Sequence, residues 1–304
     1  MRSRFRPDRQ LTTRMLITTF LLGLVYVAFI AALIALIKSV VVVVLIAGGL
    51  LLAQFWFSDR IALYAMQARI VTAEQEPRLH GIVDRLCATA DMPKPRVAVA
   101  DTGLPNAFAT GRSTDRAVLC VTTGLMRRLD TEELEGVLAH ELSHVAHRDV
   151  VVMTVASFLG VIAGLIARFA FYSTVFGSGD RRGRDGQEAF LLILLVLAVS
   201  AAVYAISFLL IRALSRYREL AADRAGAILT GHPSALASAL TKVSGDIAAI
   251  PTRDLRTAEA FNAFFFAPAL GRGVSLSSLM STHPTLQQRL DQLARLSTEL
   301  GEVS

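Results

Sequence analysis

Four long runs of apolar residues set the terms for any fold this chain can adopt. Met15 to Ile37 is uncharged throughout; Lys38-Ser39 interrupts the pattern, and Val40 to Phe57 continues it. A helix crosses the roughly 30 Å of bilayer hydrocarbon in about 20 residues. The two runs are together too long for one straight span and read as a hairpin turning near Lys38. Further on, Val150 to Phe176 carries one charge, Arg168, and Ala189 to Ile211 carries none before Arg212. Between them, Gly177-Ser-Gly-Asp-Arg-Arg-Gly-Arg-Asp-Gly186 is a charged, glycine-rich loop with nothing apolar to fold on. The pattern predicts four spans. A second pair that is a buried or partly inserted hairpin is the alternative, with Arg168 and the cluster Phe169, Phe171, Tyr172 marking an interface.

Composition supports a membrane chain. Hydrophobic residues make up 53% and charged residues 18%, against about 45–50% and about 25% in soluble domains. The formal net charge is +6, but its placement argues against nucleic acid. Arg2, Arg4, Arg6, Arg9 and Arg14 sit directly before the first apolar run, with no interleaved aromatic patch. That placement suits anionic lipid and the excess of positive charge on the cytoplasmic side. A secretory signal has an apolar core of about 7–15 residues; Met15 to Ile37 is longer and leads straight into another run, so it reads as an anchor. Cys87 and Cys120 have neither a pairing framework nor metal-type spacing, and read as reduced thiols.

The chain divides on this reading into a basic N-terminus with a transmembrane hairpin (1–57), a polar part (58–149), a second hydrophobic hairpin (150–211) and a second polar part (212–304). The polar parts are expected to fold together. With the N-terminal arginines in the cytoplasm, an even number of spans returns both polar parts there, although Arg181, Arg182 and Arg184 in the outward loop weigh against that orientation. Gln67 to Ala90 has helical spacing at Ile70, Leu79, Ile82, Val83 and Leu86. Arg96 to Ala100 and Ala117 to Val121 are short β-type runs. Asp130-Thr-Glu-Glu133 is an N-cap with an acid at N3, opening a helix that runs through Ala146. Further helices are expected at Ile211 to Thr230, closed by Gly231, from Pro233, and from Pro284, which suits a first helical turn. His80 and His232 have no partners in the pattern and read as surface residues.

The chemistry lies in His140-Glu141-Leu142-Ser143-His144. Residues four apart share a helix face, so both imidazoles can reach one Zn²⁺. Glu141 lies about 100° round, close enough to hold a water without being a ligand. Gly136, one turn before His140, is expected to leave room for metal or substrate. A catalytic zinc takes three protein ligands. His147 is the nearest third histidine, but three imidazoles on one rigid helix cannot readily close a tetrahedral set. Glu219 and Asp223, four apart downstream, fit better: one can ligate while the other accepts a ligand imidazole's free N–H. Which does which stays open, and on the spacing alone a surface pair flanked by Arg216, Arg218 and Arg224, solvated or salt-bridged, is the favoured reading.

The sequence resembles the HtpX-type membrane zinc metalloproteases, relatives of the CAAX prenyl endopeptidases. The resemblance rests on the paired N-terminal spans, Asn106-Ala-Phe-Ala-Thr-Gly111, Val137-Leu-Ala-His-Glu-Leu-Ser-His144, the second hydrophobic pair, Ser215-Arg-Tyr-Arg-Glu-Leu-Ala-Ala-Asp-Arg-Ala-Gly226, and Thr282-His-Pro284 with Arg289. It implies a mainly α fold with a small β-sheet: a gluzincin-like zinc metalloprotease domain plus the four hydrophobic helices. It implies one zinc ion per chain held by His140, His144 and Glu219, with Asp223 supporting a ligand histidine and Glu141 as catalytic acid/base. The activity implied is endopeptidase cleavage of membrane or misfolded proteins by Glu-assisted attack of zinc-bound water. The setting implied is a plasma or inner membrane with the site facing the cytoplasm, and the role is protein quality control. His283 and Arg289, with Tyr217 third, are the candidate donors to the developing oxyanion. Asn106, Ala107, Phe108 and Ala109 resemble the edge strand on which such proteases pair an extended polypeptide. Cleavage of prenylated C-terminal tripeptides would demand a chamber built from more spans, and a non-catalytic scaffold is disfavoured by the intact His140, Glu141, His144 and Glu219.

Overall fold

The computed structural model describes residues 66–147 apart from Arg112, residues 184–249 and 284–301, and scattered positions between 13 and 64. Among these residues the fold is mainly helical, with one four-stranded mixed sheet. The chain forms two compact units. Met1–Leu11, Phe57–Val151 and Ser215–Ser304 make one, and Thr12–Trp56 with Val152–Leu214 the other.

In the first unit the strands are β1 (Arg69–Ile70), β2 (Arg96–Ala100), β3 (Ala107–Thr110) and β4 (Val118–Thr122), in the order β1-β2-β4-β3. β2 and β4 are parallel, with Arg96 opposite Val118 and Ala100 opposite Thr122. β1 and β3 are antiparallel to their neighbours. Side chains alternate across a strand, and that alternation sorts this sheet into two faces. Val97, Val99, Leu119 and Val121 join the main core, while Ala98, Ala100, Val118, Cys120 and Phe108 pack on the other side with Leu63, Met66 and Ala68.

The helices are α1 (Pro77–Ala90), the short α2 (Thr123–Arg128), α3 (Thr131–Ala146), the long α4 (Arg184–Thr230), α5 (Pro233–Ala249) and α6 (Leu286–Leu300); all lie in the first unit except α4, which belongs to it only from Ser215 onward. Leu79, Ile82, Val83 and Leu86 of α1 and Leu134, Val137, Leu138 and Leu142 of α3 lie in one cluster with the inward strand residues. Each such side chain contributes about 1.5–3 kcal/mol when fully buried. α3 starts where its capping box requires: Asp130 accepts from the Glu133 N–H at 2.9 Å, and Glu133 returns a bond to the Asp130 N–H at 3.1 Å. Glu133 then reaches across to α5, accepting from Ser238 Oγ at 2.6 Å and pairing with Lys242. The helix is therefore fixed at its start, two turns before His140.

Several expectations change. The helical run expected from Gln67 begins only at Pro77; Arg69–Ile70 pair with Val99 and Ala98 instead. Proline at the helix start and the strand partner together outweigh the apolar spacing of Ile70. Pro284 precedes the N-cap Thr285 rather than opening the helix, and a Thr285/Gln288 capping box does that work. Gly136 leaves no room for metal or substrate: Leu236 of α5 fills the position, with its Cα, Cβ and N each 3.3 Å from where a Cβ would stand. His80 is buried rather than superficial. Its Nε2–H donates to the Val71 carbonyl at 3.1 Å, and its Nδ1 accepts from Lys94 Nζ at 3.0 Å.

Within α4, Ala198–Thr230 is long and apolar enough to cross a membrane by length and composition. It is the one such stretch among the described residues. The second apolar run and the run from Val150 fall largely or wholly outside the described residues. So do the loop before Arg184 and His283.

Candidate metal centre

α3 and α4 bring three donor groups to one point. His140 Nε2 and His144 Nε2 are 3.2 Å apart, as their i, i+4 spacing on one helix face dictates. Glu219 spans them from α4, with Oε2 3.6 Å from His140 Nε2 and Oε1 3.6 Å from His144 Nε2. Tetrahedral ligands at about 2.0–2.2 Å from a zinc ion lie about 3.3–3.6 Å from one another. The three separations lie within about 0.1 Å of that range, so the residues fit the metal they were expected to hold. All three side chains are buried. His147 is elsewhere: its Nδ1 bonds the Ser143 carbonyl at 2.7 Å, beyond the end of the helix.

Asp223, one turn after Glu219, lies on the far side of the His140 ring. Its Oδ1 lies 2.8 Å from His140 Nδ1, a charge contact that leaves Nε2 facing the centre. Arg289 of α6 closes the array. Its Nε donates to Asp223 Oδ2 at 2.7 Å and its Nη2 to Oδ1 at 2.6 Å, a two-point bond in which both side chains are almost wholly buried. Its Nη1 lies 4.0 Å from Glu219 Oε2. Arg289 was expected to face a developing oxyanion; its guanidinium instead lies against Asp223, behind the His140 ring. Nothing in the spacing signals that pairing, because the partners stand 66 residues apart.

The electrostatics follow from burial and pairing. Burial disfavours a charged His140, but hydrogen bonds to Asp223 and Glu219 outweigh it and hold its pKa up at about 9. Positive charge is thus favoured at the point where the donors meet. Burial also pushes Asp223 up, yet Arg289 and His140 bring it below the ordinary carboxylate range. Burial raises Glu141, against the pull of His140 and His144. For Arg289, burial works toward a lower pKa, and the Asp223 and Glu219 carboxylates reverse it.

The approach of α4 to α3 depends on Gly226. A Cβ there would stand 2.9 Å from His140 N, 3.2 Å from His140 Cα and 3.3 Å from Ala139 C. Only glycine lets the helix carrying Glu219 and Asp223 come this close to the helix carrying the imidazoles.

β3 borders the site, packed against α3. The candidate strand residues divide by direction. Thr122 N–H donates to the Asn106 carbonyl at 2.9 Å, and Phe108 lies opposite Cys120. Alternation therefore turns the backbone groups of Asn106 and Phe108 toward β4 and those of Ala107 and Ala109 outward. Ala109 N–H donates to Glu141 Oε2 at 3.1 Å.

Two imidazoles and a carboxylate converging from two helices, with a further glutamate beside them, define a single-metal hydrolase centre of the metallopeptidase kind. Residues 73–297 match the model of peptidase family M48. The chain is 68% identical over 302 residues to Protease HtpX homolog 1 of Streptomyces coelicolor, covering 99% of this chain and 98% of that one. It is 51% identical to the Protease HtpX homolog of Moorella thermoacetica, covering 99% of each. Among solved structures it is similar in fold to S. mikatae Ste24p, with a TM-score of 0.51 and 19% identity. That match covers 94% of this chain and 66%, just under two thirds, of the other. The chain belongs to peptidase family M48, among its HtpX-type proteases, and is a peptide-bond hydrolase.

Proposed function

We propose that the chain is a membrane-anchored zinc endopeptidase acting on membrane or misfolded polypeptides, with one zinc ion held by His140, His144 and Glu219. The observation that carries this reading is the match of the 3.2, 3.6 and 3.6 Å donor separations to one tetrahedral metal, with Glu141 alongside. Zinc, when bound in such a site, supplies a Lewis acid that acidifies water and polarises a carbonyl. Glu141 takes a proton from the attacking water as its oxygen bonds to the peptide carbon, and returns that proton to the nitrogen as the C–N bond breaks. Asp223 holds His140 in the tautomer that presents Nε2. Arg289 balances the Asp223 charge, so that His140 Nδ1 faces a carboxylate that stays ionised. His283, outside the described residues, remains the candidate donor to charge developing on the carbonyl oxygen. The outward edge of β3 at Ala107 and the Ala109 carbonyl is the proposed strand on which substrate pairs.

Exposed apolar side chains support the membrane setting. On α4, Leu191, Leu195 and Leu209 are 53–63% exposed. In the first apolar run, Leu16, Ile17, Phe20, Leu21 and Leu24 are likewise exposed. Hydrocarbon, rather than water, is the solvent such surfaces fit. We take the division at 1–57, 58–149, 150–211 and 212–304, the cytoplasmic orientation and the quality-control role as parts of the same proposal. Detergent-purified wild type and Glu141→Gln on unfolded casein, with zinc measured in both, test it. One zinc in each and cleavage by wild type alone is the expected result; a chain that binds no zinc would refute the ligand assignment.

A further inference from the structure

The contact between Ala109 and Glu141 is not accounted for by substrate pairing. β3 is the outer strand of the sheet, and its inward hydrogen bonds run through Asn106, Phe108 and Thr110, whose partners are Thr122, Cys120 and Val118. The outward N–H of Ala109 meets Glu141 Oε2 at 3.1 Å. It is therefore already engaged by the enzyme, and a substrate strand must leave it alone. A glutamate side chain has three rotatable bonds, and fixing one carboxylate oxygen removes most of that freedom. Glu141 Oε1 is then the oxygen left for the proton.

We propose that Ala109 is a positioning residue for the peptide hydrolysis, acting through its backbone: its outward N–H anchors Glu141 Oε2, so that the edge strand holds the general base at a fixed place beside the metal ligands. This inference rests on the hydrolase reading of the site. The strand that presents the substrate and the group that activates water are then one mechanical unit. Strand pairing that stiffens β3 also steadies Glu141, and interaction energy at the edge is expressed in kcat as well as in KM.

The test exchanges the Ala109 N–H for oxygen by incorporating lactic acid at position 109 through stop-codon suppression in the full chain. Ala109→Pro deletes the same N–H with a ring and serves as a second variant. An outward N–H on an edge strand is a position where proline leaves the ladder intact. Zinc content and melting temperature are measured beside kcat and KM on casein-derived peptides. The expected result is one zinc per chain, a melting temperature near that of wild type, KM within about threefold, and kcat lower by about 10- to 100-fold, the range for a hydrogen bond to a charged group. In a Glu141→Gln background the same exchange adds no comparable loss, because the anchored carboxylate is already gone. A kcat within twofold of wild type in the zinc-loaded ester variant overturns the proposal. So does a loss confined to KM, or a full additional loss on top of Glu141→Gln. If the proline variant loses zinc, the ester variant decides. Wild type that binds no zinc or cleaves nothing refutes the hydrolase reading itself and this inference with it, an outcome distinct from a wild type that works and an ester variant that works equally well.

Discussion

Replacing Gly226 by alanine sets two helices against each other at the metal centre. The new Cβ would lie 2.9 Å from His140 N, 3.2 Å from His140 Cα and 3.3 Å from Ala139 C. All three are backbone atoms, so no side chain can rotate away. Relief to ordinary contact, about 3.4 Å or more, requires α3 and α4 to part by about half an ångström. α3 is held at its start by the Asp130/Glu133 box and the Glu133 bonds to α5, so the shift falls on the spacing between His140 and Glu219. Overpacking costs about 1–3 kcal/mol, while alanine in place of glycine in a helix returns about 1 kcal/mol. The net loss of apo-protein stability is thus about 0–2 kcal/mol. The metal is less forgiving, because ligand distances tolerate only about ±0.2 Å. Zinc affinity should fall about 10- to 100-fold, as changes just behind ligating residues do. Competition against a chelator gives the dissociation constant, and melting curves with and without zinc give the two stabilities. A tenfold to hundredfold weaker site lowers the zinc-induced stabilisation by about 1.4–2.7 kcal/mol at fixed metal concentration. Gly81→Ala is the control, since a Cβ there meets nothing within 4 Å. A Gly226→Ala protein that binds zinc like wild type would show that the helix approach does not set the site.

Gly81→Ala should itself raise stability by about 0.5–1 kcal/mol in denaturant titration, through helix propensity alone. Asp223→Asn leaves the Arg289 guanidinium buried without its carboxylate. A loss of about 3–5 kcal/mol is expected, with zinc affinity down by about 10- to 100-fold, both read from melting and chelator competition. Burial pushes the thiols of Cys87 and Cys120 up to about 11 and about 12. Both should therefore react with iodoacetamide at pH 8 at least about 100-fold more slowly in the native chain than after denaturation. Burial raises Glu133, but bonds from Lys242 and Ser238 bring it below its ordinary value. A depressed carboxylate contributes stability that is present above the unfolded pKa and lost as pH falls through the folded one. The apo-protein should accordingly weaken below about pH 4.5, and Glu133→Gln should flatten that part of the profile.

What the sequence could disclose was whatever depends on near neighbours. The Asp130 to Glu133 box and the span of α3 through Ala146 are local patterns, and the helix is found there. β2 occupies the expected Arg96–Ala100, and β4 lies one residue beyond the expected run. Gly231 takes a left-handed φ of 75° just after α4, as a helix-closing glycine does. The convergence of His140 and His144 is likewise a matter of helical spacing. What stayed hidden depends on contacts between distant segments. Leu236 filling the space at Gly136, Arg289 reaching Asp223 and Ala109 meeting Glu141 each join elements whose mutual placement no periodicity encodes. Arg289 illustrates the point: the motif singled it out, yet only packing of α6 turned it toward Asp223 rather than toward the open side of the site.

The order in which these parts are synthesised has a consequence for the assembly of the centre. His140, Glu141 and His144 leave the ribosome first, Glu219 and Asp223 follow some eighty residues later, and Arg289 arrives only with α6, a 15-residue helix translated after every other described part of the centre. Until then Asp223 lacks the guanidinium that holds its carboxylate down, and His140 alone favours its ionised form. The guanidinium that steadies the finished site is thus the last of its described parts to be made.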